Sequence, residues 1–120
     1  MKNNFSKYCI HESETILNAI ERIHENDMKT ILVLNDFEQV VGIVSQGDIL
    51  KAIVMGTTLY VQVNKIMTTS FTYLRERDFQ KAVKLFKTKY FSLIPVLSDD
   101  FKLKDIIFFT DLIAKLVPNK

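Results

Sequence analysis

The chain has 120 residues, 48% of them hydrophobic and 25% charged, with a formal net charge of +2, values ordinary for one compact soluble unit or two very small ones sharing a core. No apolar run approaches the ~18 residues that span a bilayer, and the N-terminus lacks the apolar segment of a signal peptide. The single cysteine, Cys9, has no internal disulfide partner, which fits a reducing cytosol, so a cytoplasmic protein without membrane contact is expected.

In chain order, a short extended lead-in at about 7–10 is followed by Ile16, Leu17, Ala19, Ile20 and Ile23 at helical spacing. Ser13 is the expected N-cap. The β-branched run Thr30–Leu34, the polar turn Asn35-Asp36-Phe37-Glu38 and the apolar run Val40–Val44 predict a hairpin, and a helix is predicted over roughly 46–54. A short polar connector at 56–65 leads to a second extended stretch at about 70–73. Phe79, Ala82, Val83 and Phe86 then recur at helical spacing behind Asp78, the expected cap. The strands Leu93–Leu97 and Leu103–Phe108, with a turn between them, and a helix over roughly 110–116 complete the chain. Pro95 predicts an edge strand, or a backbone nitrogen turned away from the ladder.

The second series repeats the first. Shifted by 63 positions, Ala19 meets Ala82, Ile31 meets Ile94, Val33 meets Val96, Asp36 meets Asp99, Val44 meets Ile107 and Asp48 meets Asp111. A gapless apolar-on-apolar match of this kind is a tandem duplication. A unit of about 50 residues buries too little to stand alone, so the expectation is an α/β (α+β) fold of two β-α-β-β-α repeats, 1–60 and 61–120, packed as a pseudo-two-fold pair with crevices between them. The halves differ in charge: 1–60 carries five cationic residues against eight acids, and 61–120 carries 11 against six, or −3 and +5. Arg77, Lys81, Lys84 and Thr88 form a basic helix face, which reads as a solvated surface; nucleic-acid binding would want a larger patch with exposed aromatics.

The repeat, the segment Val63-Asn64-Lys65-Ile66-Met67-Thr68, the run Leu93-Ile94-Pro95-Val96-Leu97 and the stretch Gly42-Ile43-Val44-Ser45-Gln46-Gly47-Asp48 together resemble a tandem CBS-domain pair, or Bateman module. The last stretch matches the family pattern Gly-apolar-x-Thr/Ser-x-x-Asp. The resemblance implies a non-catalytic regulatory module with no required cofactor and no metal. Its effector would be an adenine nucleotide (AMP, ADP or ATP) or S-adenosylmethionine, and its assembly a homodimer. The opening MKNNFSKYCIHESETI, the run from Gly47 to Gly56 and the ending Leu116-Val117-Pro118-Asn119-Lys120 further resemble the N-terminal CBS pair of bacterial sugar-nucleotide synthases. That resemblance implies a nucleotidyltransferase effector domain C-terminal to Lys120.

Ser45-Gln46-Gly47-Asp48 admits two readings from its residues. As a capping box, the Ser45 hydroxyl accepts a first-turn N–H and Asp48 reaches back to the cap N–H. As a nucleotide grip, the helix N-terminus and Ser45 meet a phosphate, Gly47 leaves room, and the Asp48 carboxylate accepts from the ribose hydroxyls. The family places Ile43, Ser45, Gly47 and Asp48 with Met67, Thr68, Phe91 and Ser92 around the ligand, although Phe91 is equally a core residue. A weaker second site would draw on Met28, Lys29, Ile106 and Asp111; there Phe108 replaces the hydroxyl, Thr110 stands at Gly47's position and Asp105 at Gly42's. The alternatives are a structural dimerisation module whose crevices are closed by Phe91 and Phe108, and a nucleic-acid binder using the basic face. Cys9-x-His11 alone does not make a zinc site.

Overall fold

The computed structural model describes residues 5–89 and 91–116. Residues 1–4 and 117–120, which carry part of the resemblance to the synthases, lie outside the described residues. The chain divides into two compact units, 1–71 and 72–120, each of mixed α+β structure.

In the first unit, a 3₁₀ turn at Ser6–Tyr8 leads into β1 (Cys9–His11), α1 (Ile16–Asn26), β2 (Thr30–Leu34), β3 (Val40–Ser45) and α2 (Gln46–Val54), and a further 3₁₀ turn covers Val63–Lys65. β2 is the central strand, parallel to β1 and antiparallel to β3. It reads as an apolar run rather than an alternating one because Ile31, Leu32 and Val33 are all fully buried, the pattern of a strand covered on both faces. Ile16, Ala19 and Ile23 of α1 and Ile49 and Ala52 of α2 complete a core with Ile10, Ile31, Val33 and Val44. The connector belongs to this unit spatially. Ile16 N–H donates to Val61 C=O and Val63 N–H to Glu14 C=O, and Val63 is fully buried.

The cap of α1 is Thr15, not Ser13. Thr15 Oγ1 accepts the Asn18 N–H at 3.1 Å, and Asn18 Oδ1 accepts the Thr15 N–H at 3.0 Å. The Ser13 hydroxyl is instead 2.7 Å from His11 Nδ1, so it is not available to the helix.

In the second unit, α3 (Phe79–Thr88) starts at the Asp78 cap, and β4 (Leu93–Leu97) pairs antiparallel with β5 (Leu103–Phe108), which runs into α4 (Phe109–Leu116). The lead-in contracts to a single parallel bridge, Leu74 to Val96. The Leu74 N–H donates to the Pro95 carbonyl. A residue's N and C=O point to the same side of a strand, so the Pro95 nitrogen faces Leu74 and removes no bond from the β4–β5 ladder.

The duplication holds to fine detail. Both hairpins carry a bulge at the equivalent place, Val33/Leu34 and Val96/Leu97. Both turns place a non-glycine residue in the left-handed region, Glu38 at φ 62° and Phe101 at φ 66°. Each turn is then tied by a side chain at the same position: Asn35 Oδ1 accepts the Gln39 N–H at 3.0 Å, and Ser98 Oγ accepts the Lys102 N–H at 3.1 Å.

Candidate functional site

The sequence places the candidate grip where β3 becomes α2, and the local geometry there is that of a capping box. Ser45 is extended at φ −108°, ψ 168°. Its Oγ accepts the Asp48 N–H at 3.2 Å, and Asp48 Oδ2 accepts the Ser45 N–H at 2.9 Å. The Ser45 hydroxyl also donates to Asp48 Oδ2, at 3.1 Å, so both bonds to the carboxylate use Oδ2; among the described residues Oδ1 has no partner. The Gln46 N–H is held by the Lys29 carbonyl at 3.1 Å, so the first turn of α2 is fixed at both flanks. Asp48 is half-buried and Gly47 exposed. A Cβ placed on Gly47 would meet only Ser45 Oγ, at an ordinary 3.6 Å. The protein therefore does not demand a glycine at that position, and what the missing side chain leaves is open space over the start of the helix.

Met67 and Thr68 come to this corner. Thr68 N–H donates to the Ile43 carbonyl at 2.9 Å, and Ile43 N–H to the Thr68 carbonyl at 3.0 Å, an isolated antiparallel bridge that adds Thr68 to the β3 edge. Along β3, Val40, Gly42 and Val44 are buried while Val41, Ile43 and Ser45 are half-buried, so Ile43 and Ser45 share the less covered face. Met67 packs against the first core, and Thr68 is exposed. Sequence reasoning did not anticipate the role of Gly42: a Cβ there would lie 2.5 Å from Met67 Sδ and 2.8 Å from its Cγ. Gly42 is what lets Met67 cross the strand, and the signal for it was a glycine in the middle of an otherwise β-branched run.

Within the second unit, Phe91 is half-buried and packs edge-on against Phe86, ring centroids 6.1 Å apart at 77°, among the residues around that unit's core. The Ser92 carbonyl accepts the Phe109 N–H at 2.9 Å, the bond that Lys29 makes to Gln46 in the first unit.

The residues of the weaker site differ from their counterparts. Asp111 keeps half of the box, Oδ2 accepting the Phe108 N–H at 3.0 Å, but Phe108 has no hydroxyl to return. Arg77 also engages this corner: Nη2 is 3.5 Å from Asp111 Oδ2 and Nη1 is 2.9 Å from Asp105 Oδ2, with a further bond from Nη1 to the Ile106 carbonyl at 3.2 Å. Ile106 is buried, whereas Ile43 at the equivalent position is half-exposed. In the first unit, Met28 N–H donates to Asn26 Oδ1 at 2.7 Å, and the exposed Lys29 sits in the left-handed region at φ 63°.

A separate groove of about 340 Å³ lies at the end of β1 and β2, lined by Cys9, His11, Arg22 and Asp36 among others. It contains none of the candidate residues. Burial pushes the Cys9 thiol up to about 12, only partly offset by the Arg22 guanidinium, so this sulfur is not a nucleophile at neutral pH. Among the described residues no group of three or more His, Cys, Asp or Glu could hold a metal ion, and no helix is long and apolar enough to cross a membrane.

Residues 5–55 match the family model "CBS domain", and no curated protein matches the chain. The fold is that of several solved structures. A CBS domain protein, PAE2072, from Pyrobaculum aerophilum, complexed with AMP, superposes with a TM-score of 0.73 at 19% identity over 87% of this chain and 81% of that one. CBSX2 in complex with AMP gives a TM-score of 0.77 at 24% identity over 96% and 90%. The CBS domain pair of protein MJ0100, in complex with 5′-methylthioadenosine and S-adenosyl-L-methionine, gives 0.73 at 18% identity over 89% and 85%.

Proposed function

We propose, from the match of residues 5–55 to the CBS domain model and the fold shared with CBS-domain pair proteins, that this protein is a regulatory module that senses an adenine nucleotide or adenosyl compound and modulates a protein attached to it or bound by it. The observation that carries the reading is the β3–α2 corner. Ser45, Asp48 and an unobstructed helix start at Gly47 stand beside the Ile43–Thr68 bridge. A phosphate is favoured by the partial positive charge of the helix start, although the Gln46 and Asp48 N–H groups there are already held by the Lys29 carbonyl and Ser45 Oγ. Asp48 Oδ1 remains to accept from a ribose hydroxyl. Similar folds complexed with AMP and with S-adenosyl-L-methionine support the ligand class. The ligand acts by population shift: it favours whichever arrangement of the module it binds better, and the effector reads that arrangement. The reading includes no catalytic step.

Two copies are proposed to associate. Leu50, Ile53 and Val54 lie at i, i+3 and i+4 on α2 and are 62%, 47% and 76% exposed, and Ile113, the counterpart of Leu50, is 45% exposed on α4. An apolar stripe of this kind on a chain of this size marks an interaction surface. The same stripe is the observation that favours the second reading, a purely structural dimerisation module.

Thermal unfolding against AMP, ADP, ATP and S-adenosylmethionine separates the two. A ligand at 100 times its Kd adds ~2.7 kcal/mol to stability. Asp48→Asn keeps an acceptor for the Ser45 N–H and is expected to weaken binding by about tenfold, the loss of one charge-assisted hydrogen bond. If no adenosyl compound moves the transition, the structural module is the correct reading.

A further inference from the structure

The groove beside β1 and β2 has a counterpart in the second unit, and there it is filled. Ile10 pairs with Val33, and Leu74 pairs with Val96, the residue that the 63-residue shift puts on Val33. In space the lead-in is therefore offset by one more residue, so Tyr73 stands where Cys9 does and Arg75 where His11 does. In the turn, Phe101 stands where Glu38 does, both at left-handed φ. These three residues form a stack. The Arg75 guanidinium lies 5.2 Å from the Tyr73 ring centre and 4.8 Å from that of Phe101, within cation–π range of both. The two rings meet edge-on at 5.6 Å, and Arg75 Nη1 donates to the Ser98 carbonyl. The first unit has none of the three side chains. Cys9 is short, and His11 is held by Ser13 Oγ and Asp36 Oδ1, each at 2.7 Å. What remains is the open groove of about 340 Å³ over Ile10 and Leu34. The Asn35 carbonyl, equivalent to that of Ser98, accepts the Glu38 N–H at 3.0 Å, as Ser98 accepts the Phe101 N–H at 2.9 Å. A carbonyl oxygen accepts twice. Ser98 takes its second bond from Arg75, whereas among the described residues no side chain donates to the Asn35 carbonyl.

We propose that this groove receives an arginine side chain from a partner protein, its guanidinium taking in the first unit the place that Arg75 takes in the second. The Asn35 carbonyl and the exposed Asp36 carboxylate are the acceptors, and the forked donors of a planar guanidinium suit two acceptors. Charge favours a cation there. Glu38 puts a carboxylate where the second unit has an aromatic ring. Arg22, the lining residue of like charge, is already bound to the Cys9 carbonyl at 2.6 Å and lies 3.5 Å from Glu14. Phe37, between Asp36 and Glu38 in the turn, is 72% exposed. An exposed aromatic beside a charged rim fits a protein surface better than a free small cation. The groove shares no residue with the β3–α2 corner and needs no nucleotide there.

The test uses the full chain, isotope-labelled for backbone amide shifts, and a blocked alanine peptide carrying a single central arginine. Saturable shifts are expected at His11, Asn35, Asp36 and Glu38, and none with norleucine in place of the arginine. Asp36→Asn is expected to weaken binding by about tenfold, the loss of one charge-assisted contact. His11→Arg/Glu38→Phe transplants the second unit's filling, with Phe placed at a φ that Phe101 already adopts. It is expected to abolish the shifts while the rest of the amide spectrum stays that of the folded chain. No saturable shift in the wild type, or binding retained in both variants, overturns the site. A norleucine peptide that binds as well overturns the choice of a cation. N-acetylargininamide binding as tightly as the peptide assigns the groove to a small guanidinium compound, and shifts that require removal of residues 1–4 assign it to the chain's own amino end; either result overturns the protein partner.

Discussion

At Ser45 and Asp48 a helix cap and a nucleotide grip require the same atoms, so residue identity alone does not separate them. The structure adds which atoms the cap consumes: Asp48 commits Oδ2 and leaves Oδ1. Thr15 illustrates the opposite case. By type Ser13 is the slightly better cap, yet its hydroxyl is taken by His11 Nδ1, a contact between neighbours that no periodicity encodes. Cys9 gives a residue-scale prediction with a sign. Its thiol, raised from 9.0 to about 12 by burial, stays protonated in the folded chain while the unfolded chain ionises. The unfolded state then binds fewer protons, so this residue's contribution to stability is full below pH 9 and is lost as pH climbs toward about 12. The slope from this one group is at most ~1.4 kcal/mol per pH unit. Urea unfolding at successive alkaline pH values is expected to show a steeper loss in the wild type than in Cys9→Ala. Equal slopes would mean that the thiol is reached by water.

The elements were the most legible level, because each leaves a periodic trace and the trace occurs twice. Helices, hairpins and the Asp78 cap follow from spacing, and Pro95 from the donor it lacks. The paired bulges and the left-handed Glu38 and Phe101 left no such trace: neither is a residue that favours φ > 0, and the backbone is held there by the hairpin geometry and by Asn35 or Ser98. Gly42 was legible as a family position and not as a packing requirement. Gly42→Ala is expected to lower stability by ~1–3 kcal/mol, the cost of overpacking a fitted site, because the added methyl falls on Met67 Sδ, Cγ and Cβ rather than on a free side-chain end. Met67→Ala removes the obstacle at its own cost. The double variant should therefore be more stable than the two single losses added together, with a coupling of ~0.5–3 kcal/mol measured by denaturant unfolding. Strict additivity would show that Met67 swings away freely.

At the scale of the whole molecule, sequence register and space divide the chain differently. The repeat boundary at 61 puts Val61 to Thr68 in the second repeat, while spatially these residues complete the first unit, where Val63 fills the core and Thr68 extends the β3 edge. Register follows descent by duplication and the spatial unit follows burial, and neither can be computed from the other without the fold. The connector thereby links stability and the candidate site, and two substitutions separate these roles. Val63→Ala removes buried methyls and no hydrogen bond of the β3–α2 corner, and should lower stability by ~1–2.5 kcal/mol. Thr68→Pro removes the N–H that donates to Ile43, costing ~0.5–1.5 kcal/mol for the bond itself, with any backbone distortion added. On the proposed function the two losses diverge in their effect on ligand. Calorimetric titration with AMP below the transition of each variant should find nucleotide affinity unchanged in Val63→Ala and reduced in Thr68→Pro. Equal affinities in both would leave the Ile43–Thr68 bridge a strand contact and nothing more, and would move the ligand away from this edge.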